Sequence, residues 1–354
     1  MKKSKEKITD IKSITFSELT KYVKDLGEQS YRAEQIFNAI HNNMVPQIMD
    51  IHVLPKDLRA KLQQRFPGRK MEILEKYDSK LDEVSKYLIL LHDKNIIETV
   101  LMKYKFGYTQ CISTQVGCRM GCAFCASTKN GLIRNLTPAE MIDQIYLVQK
   151  NQDIDVRNVV LMGSGEPLDN YDNVLDFLRI IHSPKGKNMS YRNITLSTVG
   201  LVPQIYKLAE EKIPITLSIS LHSPFDEKRK EVVPMAHKYS ISEIISACEN
   251  YLDLTSRRIT IEYALVKDFN DRKKDAAKLQ ELLRNMLYHI NLIPVNPVVE
   301  FDLAKPGSKA VRRFYNDLKS RGMNVTIRRE LGNDINAACG QLRQYYLDNM
   351  GTKF

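Results

Sequence analysis

From Thr109 onward, short β-branched runs alternate with helical stretches of roughly ten to fifteen residues. Neighbouring parallel strands must be joined by a crossover connection, usually a helix, and these crossovers are right-handed. The alternation of strands and helices therefore restricts the possible folds more than any other feature of the sequence. Repeated β-then-α units predict a parallel sheet with helices outside it. The candidate strands are TQCIST, RNVVLMG, RNITLST, PITLSIS, RRITIEYALV and HINLIPV, followed by NVTIRR.

The first of these runs is not followed by the GxGxxG fingerprint of a dinucleotide-binding Rossmann sheet. We therefore predict an α/β fold, specifically a partial (β/α)6 TIM-like barrel, over residues 108–343. Barrel enzymes gather their chemistry at the carboxyl ends of the strands. Residues 344–354 are interpreted as a C-terminal tail.

Two further modules precede the predicted barrel. Residues 1–70 are expected to form a small helical accessory domain, because Thr15 and Glu18 make a capping box and further helix starts occur at Ser30 and Pro55. Residues 71–107 contain two β-rich runs around Asp93, Lys94 and Asn95, which predicts a β-hairpin extension.

Composition narrows the possible partners and compartment. The 53 lysines and arginines exceed the 42 acidic residues, and the net charge of +11 favours a polyanionic partner. No apolar run has the length of a membrane span, and MKKSKEKITD lacks the apolar region of a secretory signal. We therefore expect a cytoplasmic protein without a membrane partner. In a reducing compartment the 6 cysteines suit metal or redox chemistry better than a disulfide framework.

Three cysteines, Cys118, Cys122 and Cys125, follow the first predicted barrel strand in the stretch GCRMGCAFCAST. Thiolates bind iron, zinc and copper, so the ligand type alone does not select the metal. A structural zinc site would need a fourth ligand, and the nearest candidate is Cys111 on the preceding strand. The C-x3-C-x2-C spacing can instead hold three corners of a [4Fe–4S] cluster and leave one iron open.

This motif resembles that of the radical S-adenosylmethionine enzymes, in which the methionine amine and carboxylate occupy the open iron. Phe124, directly before the last cysteine, fits the same pattern. The resemblance implies a cofactor pocket at the strand ends, where polar groups converge in a barrel. The expected S-adenosylmethionine-binding residues are Gly165, Glu166, Ser197, Ser220, Leu221, His222 and Asn296.

Longer motifs point to one family within the radical S-adenosylmethionine enzymes. CISTQVGCRMGCAFCAST, GEPLDN, SLHSP, RRITIEY, NLIPVNP and VTIRRELGNDINAACGQLR together resemble the RlmN family of RNA methyltransferases. The resemblance implies methylation of adenine carbon 2 in 23S rRNA, at the peptidyl transferase centre, and in tRNAs. It also implies two S-adenosylmethionine molecules per turnover, an electron donor such as flavodoxin or ferredoxin, and, we expect, a monomer.

The same resemblance implies roles for three further residues. Cys339 would receive a methyl group, and a 5′-deoxyadenosyl radical would then take hydrogen from that S-methyl group. The methylene radical would add to adenine carbon 2, Glu98 would remove the carbon 2 proton, and Cys111 would release the product through a transient disulfide with Cys339. Without the resemblance, Glu98 is predicted to be an exposed strand residue and Cys339 an inert small hydrophobe; Cys248 is predicted to lie in the core.

Alternative functions stay open at this point. Relatives that methylate carbon 8 and confer antibiotic resistance share the cysteines, although Pro167 after the glutamate favours carbon 2. Ser164 stands where a larger apolar residue is expected and could loosen the pocket. A radical activase would leave Cys111 and Cys339 unused, and a zinc-dependent RNA-binding module would need no S-adenosylmethionine. RNA contacts are expected from the N-terminal module and the run RKKDAAK.

Overall fold

The structure is a computed structural model that describes residues 10–295, 304–335 and 337. Two predicted site residues, Asn296 and Cys339, lie outside the described residues. No helix in the described part of the chain is long and apolar enough to cross a membrane.

A ten-stranded mixed sheet organises the molecule. Its strand order is β1-β2-β3-β4-β7-β8-β9-β10-β11-β12, and the pairs from β4 onward are parallel. The parallel strands are β4 (Gly107–Cys111), β7 (Val156–Leu161), β8 (Ile194–Thr198), β9 (Thr216–Ser220), β10 (Ile259–Leu265), β11 (Tyr288–Pro294) and β12 (Val325–Ile327).

Helices connect these parallel strands, as the alternation predicts. They are α4 (Pro138–Gln152), α5 (Tyr171–His182), α6 (Val202–Glu210), α7 (Asp226–Val232), α8 (Ile241–Thr255), α9 (Lys273–Leu283) and α10 (Ser308–Ser320). Buried strand residues such as Leu196, Ile261 and Leu292 belong to one continuous apolar core with the helices. Burying that apolar surface is the main driving force for the architecture. The predicted partial barrel is confirmed.

An antiparallel extension lies beside β4 at one edge of the barrel. It consists of β1 (Glu72–Asp78), β2 (Val84–Leu90) and β3 (Ile96–Tyr104). The turn predicted at Asp93–Asn95 joins β2 to β3, with Lys94 at a φ of 66°. The extension has three strands, whereas the sequence predicted a two-stranded hairpin. The prediction missed β1 because its residues are mostly exposed or half-buried and show no clear apolar alternation in the sequence.

The N-terminal helices are α1 (Phe16–Asp25), α2 (Tyr31–His41) and α3 (Lys56–Arg65). The capping box of Thr15 and Glu18 is present, whereas Ser30 is the N-cap of α2 without a side-chain hydrogen bond. Polar contacts join this module to α4: the ammonium of Lys12, in a short 3-10 helix before α1, pairs with Asp143, and the Tyr146 hydroxyl donates to the His41 carbonyl at 3.0 Å. The module therefore packs directly on the barrel.

Candidate active site

A cavity opens at the carboxyl ends of the parallel strands. Both the cysteine motif and the strand-end residues predicted from sequence border it. The predicted residues that line it are Glu98, Cys111, Cys118, Cys122, Cys125, Gly165, Glu166, Ser197, Ser220 and His222. Met120, Met162 and Ser164 line it as well.

The three clustered cysteines lie on a loop, residues 118–131, that a small hairpin shapes. Strands β5 (Gln115–Gly117) and β6 (Leu132–Asn135) pair in antiparallel fashion, and the Cys118 N–H donates to the Gly131 carbonyl at 3.0 Å. The Ala123 N–H donates to the carbonyl of Val232 at the end of α7, at 2.9 Å. This hairpin separates the cysteines from the first barrel strand and was not predicted, because its strands are only 3 and 4 residues long.

Burial controls the protonation of these thiols. It raises the pKa of Cys118 to about 12, and it raises the pKa of Cys122 well above its ordinary value. Cys118 and Cys122 are therefore protonated until a metal displaces the protons. Among the described residues, no group of three His, Cys, Asp or Glu side chains could hold a single metal ion. A four-iron cluster is larger than one ion and takes its ligands at wider spacing, so three cysteines around one cavity suit the cluster.

Glycines allow two chain segments to approach closely at the wall that follows β7. A Cβ on Gly163 would lie 2.7 Å from the Ile112 carbonyl carbon, and one on Gly165 would lie 2.6 Å from the Gln115 Cβ. Gly165 also has a φ of 107°, which side-chain-bearing residues rarely adopt. The GSGEP stretch therefore needs both glycines to lie against the segment that leads to the cysteines.

Glu166 shapes this wall through its carboxylate. One oxygen accepts the Leu168 N–H at 3.0 Å and the other accepts the Val199 N–H at 2.9 Å. Burial raises the pKa of Glu166 to about 7, although these two hydrogen bonds act in the opposite direction. The glutamate thus links the ends of β7 and β8. That it also binds the ammonium group of S-adenosylmethionine stays a prediction.

The end of β9 provides the next part of the wall. Ser220 Oγ lies 3.4 Å from Ser197 Oγ on the neighbouring strand β8. The Leu221 side chain lies in the apolar core, and the structure does not place this predicted cofactor-binding residue in the cavity lining. His222 accepts the Ala264 N–H on Nδ1 at 3.0 Å, which leaves Nε2 to carry the ring proton. Burial lowers the pKa of His222 to about 3, so the ring is neutral.

Arg229 on α7 is a site residue that sequence reasoning missed. Its side chain is fully buried and donates to the carbonyls of Val199, Ser220 and Leu221. Burial lowers its pKa to about 10, whereas negative charge on the Cys122 sulfur or on Asp226 acts to raise it. No carboxylate among the described residues forms an ion pair with it, and Nη1 has no hydrogen-bond partner there. Arg229 lies on the helix that follows β9, nine residues after the strand ends at Ser220, and no local sequence pattern marks it as a site residue.

Glu98 and Cys111 share one face of the sheet. Cys111 on β4 is the register partner of Val100 on β3, and Glu98 precedes Val100 by two residues. Because strand side chains alternate between faces, Glu98, Val100 and Cys111 point the same way. Glu98 is only 8% exposed, so the expectation from the residues alone, an exposed strand position, is wrong.

Residues 328–335 and 337, hereafter the C-terminal segment, complete the described part of the cavity. Arg328, Arg329, Glu330, Leu331, Asn333 and Ala337 line it. Leu331, Ile335 and Ala337 pack in the same apolar cluster as Cys111. The chain therefore reaches the cavity beside Cys111 shortly before Cys339. Cys248, in contrast, is fully buried in the core, as predicted.

Two family models match the chain. Residues 112–279 match the Radical SAM superfamily, and residues 9–67 match the ribosomal RNA large subunit methyltransferase N-terminal domain. A probable dual-specificity RNA methyltransferase RlmN of Clostridium botulinum is 52% identical over 97% of this chain and 99% of the relative. The corresponding protein of Alkaliphilus oremlandii is 52% identical over 97% of this chain and 100% of the relative.

The chain belongs to the RlmN family of radical S-adenosylmethionine methyltransferases. The fold is also similar to the crystal structure of a radical SAM methyltransferase from Sphaerobacter thermophilus. The TM-score is 0.89 and the sequences are 40% identical, and the match covers 95% of this chain and 99% of that one. RlmN membership supports an enzyme that uses a [4Fe–4S] cluster and S-adenosylmethionine, and it excludes the zinc-binding alternative.

The residues of the site fit these two cofactors. Three cysteines on one loop supply the thiolates that iron–sulfur clusters take. Two buried polar atoms, Ser164 Oγ on the cavity wall and Arg229 Nη1 behind it, have no hydrogen-bond partner among the described residues. Buried polar groups are nearly always satisfied, so these atoms are consistent with a bound polar or anionic group.

Proposed function

We propose that this protein methylates carbon 2 of one adenine in 23S rRNA and of an adenine in tRNAs, through an S-methyl group on Cys339. One observation carries the proposal: Glu98, Cys111 and the three clustered cysteines line the same cavity. The names of the relatives, dual-specificity RNA methyltransferases, support both RNA substrates.

The bound cluster and S-adenosylmethionine supply the methyl group and a carbon radical. Such chemistry suits carbon 2 of adenine, which is electron-poor and has no lone pair with which to attack a sulfonium. The other tasks belong to the chain. Cys118, Cys122 and Cys125 hold the cluster, while Gly165, Glu166 and the ends of β8 and β9 bound the cofactor pocket.

Glu98 and Cys111 complete the reaction at the neighbouring wall. Glu98 accepts the carbon 2 proton, a usual task for a positioned carboxylate, and the unpaired electron that radical addition leaves on the adduct passes to a one-electron carrier. The Cys111 thiolate then attacks the sulfur of Cys339: a disulfide forms and the bond from that sulfur to the methylene carbon breaks. The methylene carbon keeps the electron pair and takes up a proton, which completes the methyl group and releases the base. In a reducing compartment such a catalytic disulfide is transient, and thiol–disulfide exchange with a cellular thiol returns Cys111 and Cys339 to thiols.

The carbon 8 alternative has less support. The glutamate is followed by Pro167, which begins a short 3-10 helix over Pro167–Asn170, capped by Glu166 itself. The proline thus belongs to the turn that joins β7 to the cofactor wall. Its presence, together with the names of the relatives, favours carbon 2.

Basic residues beside the cavity mouth supply the RNA contacts in this proposal. In a β-then-α unit the helix begins near the carboxyl end of its strand, so α9 and α10 begin near the cavity that Ala264 and Pro294 line. Six exposed basic side chains lie at these two starts: Arg272, Lys273, Lys274, Lys309, Arg312 and Arg313. We call this set the basic rim.

The N-terminal module, residues 1–70, is the second proposed RNA contact. The RNA would bind to this module and to the basic rim, and the target adenine would flip out of its stack into the cavity. A monomer acting in the cytoplasm, with flavodoxin or ferredoxin as electron donor, completes the proposal. Flavodoxin and ferredoxin are the kinds of small one-electron carriers that a [4Fe–4S] cluster accepts electrons from.

Mass spectrometry of adenosines tests the proposal. Reconstituted protein is incubated anaerobically with S-adenosylmethionine, a reductant and unmodified ribosomal RNA or tRNA, beside Cys339→Ala and Cys111→Ala. We expect 2-methyladenosine from the wild type alone. Cys111→Ala should instead accumulate a covalent protein–RNA adduct, visible as a shifted band on a denaturing gel. 8-Methyladenosine would assign the protein to the other branch, and cofactor cleavage without RNA product would contradict the proposal.

A further inference from the structure

The turn between β1 and β2 is bonded to the C-terminal segment. Asp334 accepts the Ser79 hydroxyl on Oδ1 and the Lys80 N–H on Oδ2, each at 2.7 Å. In the same turn, Asp82 Oδ2 accepts the Gly332 N–H at 2.9 Å. Three hydrogen bonds to carboxylates therefore join segments that lie about 250 residues apart in sequence.

The turn is organised before it meets its partner. The Ser79 N–H donates to the Val84 carbonyl at 2.9 Å, which closes the turn between the two strands. The Ser79 hydroxyl oxygen also accepts the N–H groups of Leu81 and Asp82, at 3.1 Å and 3.2 Å. Because these bonds fix the serine, its hydroxyl hydrogen is directed at Asp334. The hydrogen bond from Ser79 and that from the Lys80 amide lower the pKa of Asp334.

The C-terminal segment is itself compact at this point. Ile335 and Ala337 both donate their N–H groups to the Gly332 carbonyl, at 3.2 Å and 2.9 Å. Gly332 has a φ of 66°, and a Cβ there would lie 2.5 Å from the Ala337 Cβ. The polar bonds to the turn thus hold a folded loop whose apolar side chains, Leu331, Ile335 and Ala337, lie in the cluster of Cys111.

We infer that the 79–82 turn anchors the C-terminal segment so that Cys339 reacts both at the cofactor and with Cys111, and that Asp334 is its main positioning residue. The inference rests on the proposed function, which assigns chemistry to Cys339. Cys339 follows Ala337 by two residues, and Ala337 already lines the cavity. The antiparallel extension thereby gains a task besides carrying Glu98.

Anchoring the C-terminal segment would speed these reactions because it raises the effective concentration of the Cys339 thiol near its partners. A thiol on an untethered chain end meets its partner rarely, whereas restricting the chain to the neighbourhood of the partner makes the encounter nearly intramolecular. Each anchoring bond involves a carboxylate acceptor, so its loss changes the population of the docked state measurably. Asp334 does not itself touch the reacting atoms, so its effect should appear in positioning and not in cofactor binding.

Disulfide trapping measures that positioning without catalysis. Holoenzyme whose Cys339 is shown to be unmethylated is treated anaerobically with oxidised glutathione, quenched by alkylation and digested. Oxidation of the two protein thiols reduces glutathione disulfide to two thiols. We expect the Cys111–Cys339 peptide to form roughly tenfold more slowly in Asp334→Ala than in wild type. Asp334→Asn, which keeps one acceptor oxygen, should lie between them.

Asp82→Ala is the independent second variant, since it removes the bond to Gly332 from the opposite side of the contact. Asp253→Ala, an exposed carboxylate on α8, is the matched control and should behave like wild type. Iron content, visible absorbance of the cluster and the melting temperature should be equal in all variants. Methylation of Cys339 in the first turnover, without RNA, should slow in parallel with trapping.

The outcomes separate the inference from the proposed function. Trapping and Cys339 methylation at wild-type rates in both Asp334→Ala and Asp82→Ala would overturn the anchor, even if the wild type makes 2-methyladenosine. Slowed trapping in a protein that makes no methylated adenosine would support the anchor and contradict the proposed function. A uniform loss of cluster or melting temperature in the Asp334 variants would show a folding role and would also overturn the anchor.

Discussion

Gly165 shows how a single missing side chain permits the cofactor wall. Its φ of 107° and the 2.6 Å approach of the Gln115 Cβ leave no space for a larger residue. Its carboxyl-side neighbour, Glu166, is held by the Leu168 and Val199 amides. A shift at position 165 would therefore displace the glutamate and, with it, the junction of β7 and β8.

We predict that Gly165→Ala lowers the free energy of unfolding by about 3 kcal/mol, from backbone strain and the clash together. S-adenosylmethionine binding should also weaken. The control is Gly107→Ala, where φ is 114° but no atom lies within 4 Å of the added Cβ. Gly107→Ala therefore introduces backbone strain without a clash and should lower the free energy of unfolding by about 1 kcal/mol. Urea titration measures both, and equal losses would contradict the proposed close approach.

Arg229 places a buried positive charge near the sulfur of Cys122. A buried cation without a carboxylate partner among the described residues is costly unless an anion compensates for it. The thiolate-bound cluster beside Cys122 would be that anion. Reduction adds a negative charge, so the cation should favour the reduced cluster.

Replacing Arg229 by Gln should therefore make the cluster harder to reduce. A unit charge about 10 Å away contributes about 1.7 kcal/mol at an effective dielectric constant of about 20, which corresponds to about 70 mV for one electron. Arg229→Lys keeps the charge and should shift the midpoint potential less. Spectroscopic redox titration provides the measurement, and a potential unchanged in Arg229→Gln would rule out the electrostatic role.

At the scale of elements, the contact between the N-terminal module and α4 depends on a buried ion pair. Lys12 pairs with Asp143, and both side chains are less than 20% exposed. Burial alone would lower the pKa of Lys12, but the negative charges of Asp143 and Asp10 raise it. The net effect is a pKa above the ordinary value. Burial raises the pKa of Asp143 to about 6, while Lys12 acts in the opposite direction.

Removing one partner should cost more than removing both. We expect Lys12→Met to lower the free energy of unfolding by about 3 kcal/mol, because it leaves a buried carboxylate unpaired. The double variant Lys12→Met with Asp143→Leu should recover much of that loss. Denaturant titration at neutral pH decides the matter, and additive losses would show that the two side chains do not interact.

The same carboxylate predicts a pH dependence. Asp143 has a pKa of about 6 in the folded protein, above its ordinary value of 3.8, so the folded chain binds this proton more tightly. Its contribution to stability is complete below about pH 4 and is lost as pH rises through about 6. Asp143→Asn should remove up to about 3 kcal/mol of that decline. Unfolding curves of both proteins between pH 4 and 7 test this, and parallel curves would contradict the raised pKa.

At the scale of the whole molecule, charge and shape meet at the cavity mouth. The net charge of +11 indicated a polyanion but not a surface, because the basic residues are spread along the chain. Folding brings the starts of α9 and α10 to the same end of the barrel as the cysteines. Phosphate contacts at this end would hold the RNA beside the cavity in which the chemistry takes place.

Neutralising part of the basic rim should weaken RNA binding through its salt-dependent component. Each lost phosphate contact reduces the slope of log affinity against log salt by about 0.7 to 0.9. The triple variant Lys309→Gln, Arg312→Gln and Arg313→Gln should therefore show a slope smaller by about 2. Lys21→Gln, Lys24→Gln and Lys61→Gln probe the N-terminal module in the same way. An unchanged slope in either triple would remove that surface from the proposal.

The sequence by itself determined the barrel, the cluster motif and the family, because these depend on local periodicity and on spacing within short segments. The capping box at Thr15 and the alternation from β7 to β12 are of this kind. Only the tertiary structure decided that Glu98 is buried, that Arg229 lies behind the cysteine loop and that Asp334 meets Ser79. Each of these depends on contacts between segments far apart in the chain, and no local pattern encodes which distant surface will cover a given side chain.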